Sequence, residues 1–215
     1  MYKRVAKKKS LTSRQRAEKL INDVRKKLKS KYKFATRLVG SAQWGTIIED
    51  IDGTYDLDYQ ILLTKNSKKF KENRLANATN IKNDFYNSFQ SCVKQDERLE
   101  NSTTAITLIN REAKYSIDFV IIKYVSDPTQ IIRRNNTKEN PCKNSFSWNT
   151  LPNFNKAYMR FKSLNGEEKR DLIENFVIPK KYKEKQKDES DPKKLSSCQL
   201  FIREVNNYVS KKSVT

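Results

Sequence analysis

Apolar residues recur at Ala17, Leu20, Ile21, Val24 and Leu28, a spacing that puts them on one face of a helix over residues 12–31. Thr12 and Gln15 stand at capping-box spacing, so the helix is expected to start near Thr12, with Arg14, Arg16, Lys19, Arg25, Lys26 and Lys29 on its other face. Residues 34–39 predict a short strand that delivers the chain to Gly40 and Ser41. A second long helix is predicted over 69–96 from Leu75, Ala78, Ile81, Phe85, Phe89 and Val93, after a lysine-rich approach at 65–71. Residues 102–109 and 115–124 read as a hairpin of β-branched and aromatic residues with a polar turn between them. The stretch 133–149 is polar, contains Pro141 and has no period, so it predicts a connection between a core at 1–132 and a second part at 133–215. Beyond it, helices are predicted at 154–163 and 167–176. Residues 180–194 read as charged, mobile, low-complexity sequence. Ser196 and Gln199 then fit a capping box opening a final helix with Cys198, Phe201, Ile202, Val205, Tyr208 and Val209 on one side. The fold class expected is α+β: a mixed sheet backed by two helices, with a small C-terminal helical lobe closing over a cleft.

Within that frame one strand draws the chemistry. Successive side chains of a strand point to opposite faces, so Asp56 and Asp58 project together while Leu57 and Tyr59 turn away. Ile61, Leu62 and Leu63 continue the strand with apolar residues on both faces, which marks it as central with the acids at its opening end. Two neighbouring carboxylates repel unless a cation lies between them, and Mg²⁺ that also holds nucleotide phosphates suits that setting. An isolated Asp-x-Asp is more often a solvated strand edge, so the context has to decide. Gly40 lets backbone approach a phosphate, and Ser41 can cap the next turn or donate to a phosphate oxygen beside exposed amides. Asp118, flanked by Ile117, Phe119, Val120 and Ile121, is costly in an apolar strand without a partner; it falls beside the pair if the hairpin joins the same sheet.

Charge narrows the partners. The chain has 215 residues and a formal net charge of +20, which attracts polyanions, so nucleotides or nucleic acid are the natural ligands. A basic arm at Lys3, Arg4, Lys7, Lys8 and Lys9 adds to the helix surface at Arg14, Arg16, Lys26 and Lys29, the best candidate for contact with a phosphate backbone. There is no histidine, and Cys92, Cys142 and Cys198 are far apart. Zinc sites and Ser-His-Asp or Cys-His catalysis are therefore set aside, which leaves carboxylates to carry any chemistry. Without a long apolar stretch or a secretory leader, no membrane partner and a cytoplasmic location are expected.

Gly40-Ser41, Gly45-Thr46 and Asp56-Leu57-Asp58 together resemble the signature of the polymerase-β-like nucleotidyltransferase superfamily. The resemblance implies two Mg²⁺ ions, with Mn²⁺ as an alternative, held by three carboxylates, of which Asp118 is the third. It also implies NTP substrates, with Gly40 and Ser41 at the nucleotide. Trp148-x-x-x-Pro152 and the helix opened at Ser196-Ser197 are similar to the oligoadenylate synthetase and cyclic-GMP-AMP synthase branch, including the bacterial enzymes that make cyclic oligonucleotides. Members of that branch carry a larger helical lobe, so this chain is expected to be short at its C-terminal end. The implied function is synthesis of short or cyclic second messengers in defence, with RNA at most an activator. Two alternatives stand: addition of nucleotides to an RNA or tRNA end, with RNA as acceptor, and a catalytically idle RNA-binding module.

Overall fold

The computed structural model describes residues 3–64, 77–123, 129–135, 145–151, 155–188 and 190–212. In chain order the elements are β1 (Lys3–Arg4), α1 (Lys7–Leu28), β2 (Phe34–Val39), α2 (Gly40–Trp44), β3 (Ile48–Glu49), β4 (Tyr55–Leu63) and α3 (Ala78–Gln90). Strands β5 (Arg98–Asn101), β6 (Ala105–Asn110), β7 (Tyr115–Lys123), β8 (Gln130–Arg134) and β9 (Phe146–Thr150) follow. Helices α4 (Asn155–Ser163), α5 (Gly166–Asp171), α6 (Ile178–Lys185) and α7 (Ser197–Lys212) come last, with a π-helical stretch, Leu172–Val177, joining α5 to α6. Two units result: Ala6–Val39 with Thr54–Leu151, and Met1–Val5 with Gly40–Gly53 and Pro152–Thr215.

The first unit is a mixed seven-stranded sheet in the order β2-β4-β7-β6-β5, with β8 pairing β7 and β9 pairing β8. Parallel β4 and β7 lie at its centre, and the other pairings are antiparallel. The period-2 pattern sets the faces. Tyr55, Leu57, Tyr59, Ile61 and Leu63 of β4 are buried, as are Tyr115, Ile117, Phe119 and Ile121 of β7. Helices α1 and α3 supply the matching apolar stripes: Ala17, Leu20, Ile21, Val24 and Leu28 from α1, and Ala78, Ile81, Phe85 and Phe89 from α3. Phe89 stacks on Phe119 at 4.5 Å and Phe85 meets Phe34 edge-on at 5.2 Å.

Helix α1 starts five residues before Thr12, with Ala6 as an N-cap that offers no side-chain cap. Tertiary contacts hold these first turns instead: Ser13 Oγ bonds Tyr55 Oη at 3.0 Å, and Tyr55 Oη donates to the Lys9 carbonyl. Arg16 corrects the expected basic face. It is buried among the apolar stripe, donating Nε and Nη2 to the two carboxylate oxygens of Glu97 at 2.6 Å each.

Lys82 of α3 is fully buried and donates Nζ to the Thr104 carbonyl at 3.0 Å. Burial, reinforced by the charge of Arg134 and opposed by that of Asp118, lowers its pKa to about 7. A lysine depressed in this way binds fewer protons folded than unfolded between about pH 7 and its ordinary value, so stability rises with pH across that window and is lost as pH falls through 7. Lys82→Met is expected to stabilise the protein by about 2 kcal/mol at pH 6 and to flatten this slope, read as urea midpoints from pH 6 upward.

One expectation about the connection needs correcting. The described ends of the stretch 133–149 are strand, because β8 and β9 form an antiparallel pair that extends the sheet, with Ile132 opposite Trp148; residues 136–144 lie outside the described residues. By its contacts the chain changes unit after Leu151, and Gly40–Gly53 groups with the C-terminal helices. Residues 65–71, Leu75, Pro141 and Pro152 lie outside the described residues.

In the second unit Ala157, Phe161, Leu164, Leu172, Val177, Leu200, Phe201 and Val205 form a buried core. Trp44 at the end of α2 packs against that core, stacked on Phe201 at 5.4 Å and edge-on to Phe161 at 4.8 Å. The capping box read at Ser196 and Gln199 is present: Gln199 N donates to Ser196 Oγ, and Ser196 N donates to Gln199 Oε1. Asn165 and Glu168 form a second one, opening α5. Residues 180–185, expected to be mobile, are helical as part of α6. No helix among the described residues is long and apolar enough to cross a membrane.

Candidate active site

The unburied face of the sheet gathers the acids. Parallel pairing of β4 with β7 sets Asp58 directly beside Asp118 and Asp56 beside Ser116, all on the face opposite the helix-covered one. Adjacent strands are about 4.8 Å apart, so the three carboxylates share one small patch. Asp56 is exposed, while Asp58 and Asp118 are half-buried. Each flanking strand pair contributes a hydroxyl: Thr107, opposite Asp118 on β6, donates to Asp118 Oδ1 at 2.6 Å, and Ser116 donates to Asp56 Oδ1.

Burial pushes the Asp118 carboxyl above the usual range, the charge of Asp56 adds to the push, and the Thr107 hydrogen bond and the charge of Lys82 oppose it. A carboxylate held uphill by burial and by a carboxylate neighbour is a setting that a cation relieves. Among the described residues no group of three Asp, Glu, Cys or His side chains is placed to hold a metal ion by itself. Mg²⁺ does not require one, since it takes one or two carboxylates and completes its sphere with water and substrate phosphates. Carboxylates such as Asp56, Asp58 and Asp118 on one open face are the kind of donor that Mg²⁺ with a bound nucleotide would take.

Gly40 and Ser41 belong to the other unit. Gly40 adopts φ +62°, a left-handed value that favours glycine, and Gly45 does the same at φ +69° where the Thr46 amide closes the turn on the Ser41 carbonyl. Lys181, which the sequence reading missed, is 4% exposed and donates Nζ to Ser41 Oγ and to the Thr46 carbonyl, both at 2.7 Å. Because Ser41 Oγ accepts from this ammonium, its own hydrogen is left to donate elsewhere. Only its helical spacing from Val177 and Ile178 marked Lys181 in the sequence; its charge disguised it as surface.

The four basic residues assigned to α1 do not stay together. Lys26 and Lys29 are exposed, Arg14 is half-buried and Arg16 is sequestered by Glu97.

No protein-family profile matches the sequence, and no curated protein matches it. Solved structures do. The STING-associated CdnE c-di-GMP synthase from Capnocytophaga granulosa matches with a TM-score of 0.61 and 19% identity, over 95% of this chain and 61% of that one. The GTP-bound form of DncV from Vibrio cholerae matches with a TM-score of 0.56 and 17% identity, over 96% of this chain and 53% of that one. Escherichia coli DncV bound to 3'-deoxy GTP gives a TM-score of 0.56 at 16% identity, over 95% and 54%. This chain thus spans little more than half the length of these proteins. The fold of this chain is the one these solved synthases share.

Proposed function

We propose that the chain is a Mg²⁺-dependent nucleotidyltransferase that joins a nucleotide hydroxyl to the α-phosphate of an NTP, releases pyrophosphate, and makes short or cyclic oligonucleotides as defence signals. The observation that carries this reading is the register of β4 and β7, which sets Asp58 beside Asp118 with Asp56 on the same open face. The likeness to synthases of c-di-GMP and to GTP-bound DncV supports the nucleotide class.

Asp56, Asp58 and Asp118 would hold the metal. When bound, Mg²⁺ neutralises phosphate charge and makes the attacking hydroxyl more acidic. The chain's own residues do the positioning. Thr107 and Ser116 fix the orientation of the Asp118 and Asp56 carboxylates through the hydrogen bonds described above. Ser41, held by Lys181, donates to a phosphate oxygen, and the Lys181 ammonium adds positive charge beside it. As the acceptor oxygen bonds to Pα, the bond from Pα to the bridging oxygen breaks; pyrophosphate departs with the electron pair and the hydroxyl proton is released.

Ser41→Ala is expected to weaken NTP binding about tenfold, the size of one hydrogen bond to a charged group. Calorimetry with Mg²⁺ and a non-hydrolysable NTP checks this. Product identity tests the function itself: pure protein incubated with α-labelled NTPs and Mg²⁺, with and without RNA, should convert label into short products, phosphatase-resistant when cyclic. Label confined to elongated RNA would overturn the messenger reading.

A further inference from the structure

A cavity of about 360 Å³ lies between α1 and β2, on the face of the sheet turned away from the acids. Helix positions Arg14, Glu18 and Arg25, spaced so that they share one side of α1, form one wall. Thr36, Arg37 and Tyr59 belong to the facing sheet wall. Thr36 pairs with Ile61, so it shares the helix-covered face with Tyr59, while Arg37 pairs with Gln60 and borders the cavity with its side chain held to Gln60 on the opposite face. β2 pairs only with β4 among the described residues, so part of its backbone hydrogen-bonding edge is turned outward.

We propose that this cavity is a second, metal-independent binding site for a phosphate-bearing ligand of mononucleotide size. The guanidinium groups of Arg14 and Arg25 stand against one carboxylate, Glu18, leaving the cavity positive. Arginine forks match phosphate oxygens, and a dianion can engage more than one of them. Arg25 is pre-positioned by its hydrogen bond to Asn22 and by lying 5.1 Å from the Phe34 ring centroid. Burial and the charge of Glu18 lift the Tyr59 pKa to about 12 against the pull of Arg14, so the phenol keeps its proton and can donate. The volume is at the lower end of small-molecule sites, about 300–1,000 Å³. A polynucleotide, by contrast, needs an open track.

The test is calorimetric titration of the full chain with GMP, and separately with inorganic phosphate, in EDTA so that carboxylate-held metal plays no part. GMP is expected to bind wild type and Asp58→Asn alike, with affinity falling as salt rises. The Arg14→Gln, Arg25→Gln double variant should lose about tenfold or more. Glu18→Gln should gain about threefold, a tightening that damage to the fold does not produce. Phosphate should bind more weakly than GMP. Absence of GMP binding at millimolar concentration, loss of binding in Asp58→Asn but not in the arginine variant, unchanged affinity in Glu18→Gln, or binding of a single-stranded oligonucleotide alone would each overturn the proposal.

Discussion

Asp118→Asn should reduce nucleotidyl transfer by about a thousandfold while raising the thermal midpoint of the metal-free protein by about 2–4 °C. The two effects share one cause. Burial and the charge of Asp56 raise the Asp118 pKa, so ionising this group costs stability in the folded chain. Its favourable contribution is fully present below the ordinary carboxyl value and is lost as pH rises through the raised one. Asparagine keeps the shape and can still hydrogen-bond Thr107, but it carries no charge for a cation. Turnover with Mg²⁺ and melting in EDTA read the two halves separately. Activity retained together with a higher midpoint would leave the acid as a structural oddity.

Arg16→Leu should destabilise the protein by about 3–5 kcal/mol at neutral pH, because it strands a buried carboxylate. The side chains of Arg16 and Glu97 are 8% and 1% exposed, and the guanidinium also donates to the Cys92 carbonyl at 3.1 Å. Burial pushes the Glu97 carboxyl up, but the hydrogen bonds from Arg16 and the Lys94 amide, with the Arg16 charge, hold it below the ordinary value. A depressed acid contributes stability that is present above its unfolded pKa and is lost as pH falls through the folded one. Urea unfolding at pH 7 and at about pH 4 should show the penalty of Arg16→Leu shrinking in acid, where an unpaired Glu97 takes up a proton. An equal penalty at both values would contradict an ionic role.

The middle of the sheet was legible because β2, β4, β6 and β7 each obey a local rule. Alternation along Tyr55–Leu63 put Asp56 and Asp58 on one face, and the apolar flanks of Asp118 placed it in a strand; that this strand neighbours the first came from the pairing of β4 with β7. Helix spacing likewise found the buried stripe of α1, and the Ser196 and Gln199 pair found the start of α7. Arg16 was misread although its position was visible, since residues 16, 20, 24 and 28 form one row; charge outweighed period. Other features had no local signal. The early start of α1 depends on Tyr55, the grouping of Gly40–Gly53 with the C-terminal helices depends on Trp44 packing against Phe201, and the burial of Lys181 depends on partners 140 and 135 residues away.

The claim on which the functional account rests is that Asp56, Asp58 and Asp118 hold a divalent ion together with a nucleotide. Titration with Mn²⁺ in the presence of a non-hydrolysable NTP, followed by electron paramagnetic resonance, tests it without requiring turnover. Wild type should remove the free-ion signal at stoichiometric protein, and Asp118→Asn should leave most of it in solution at the same NTP concentration. Equal capture by the two proteins would contradict the assignment of the acidic face.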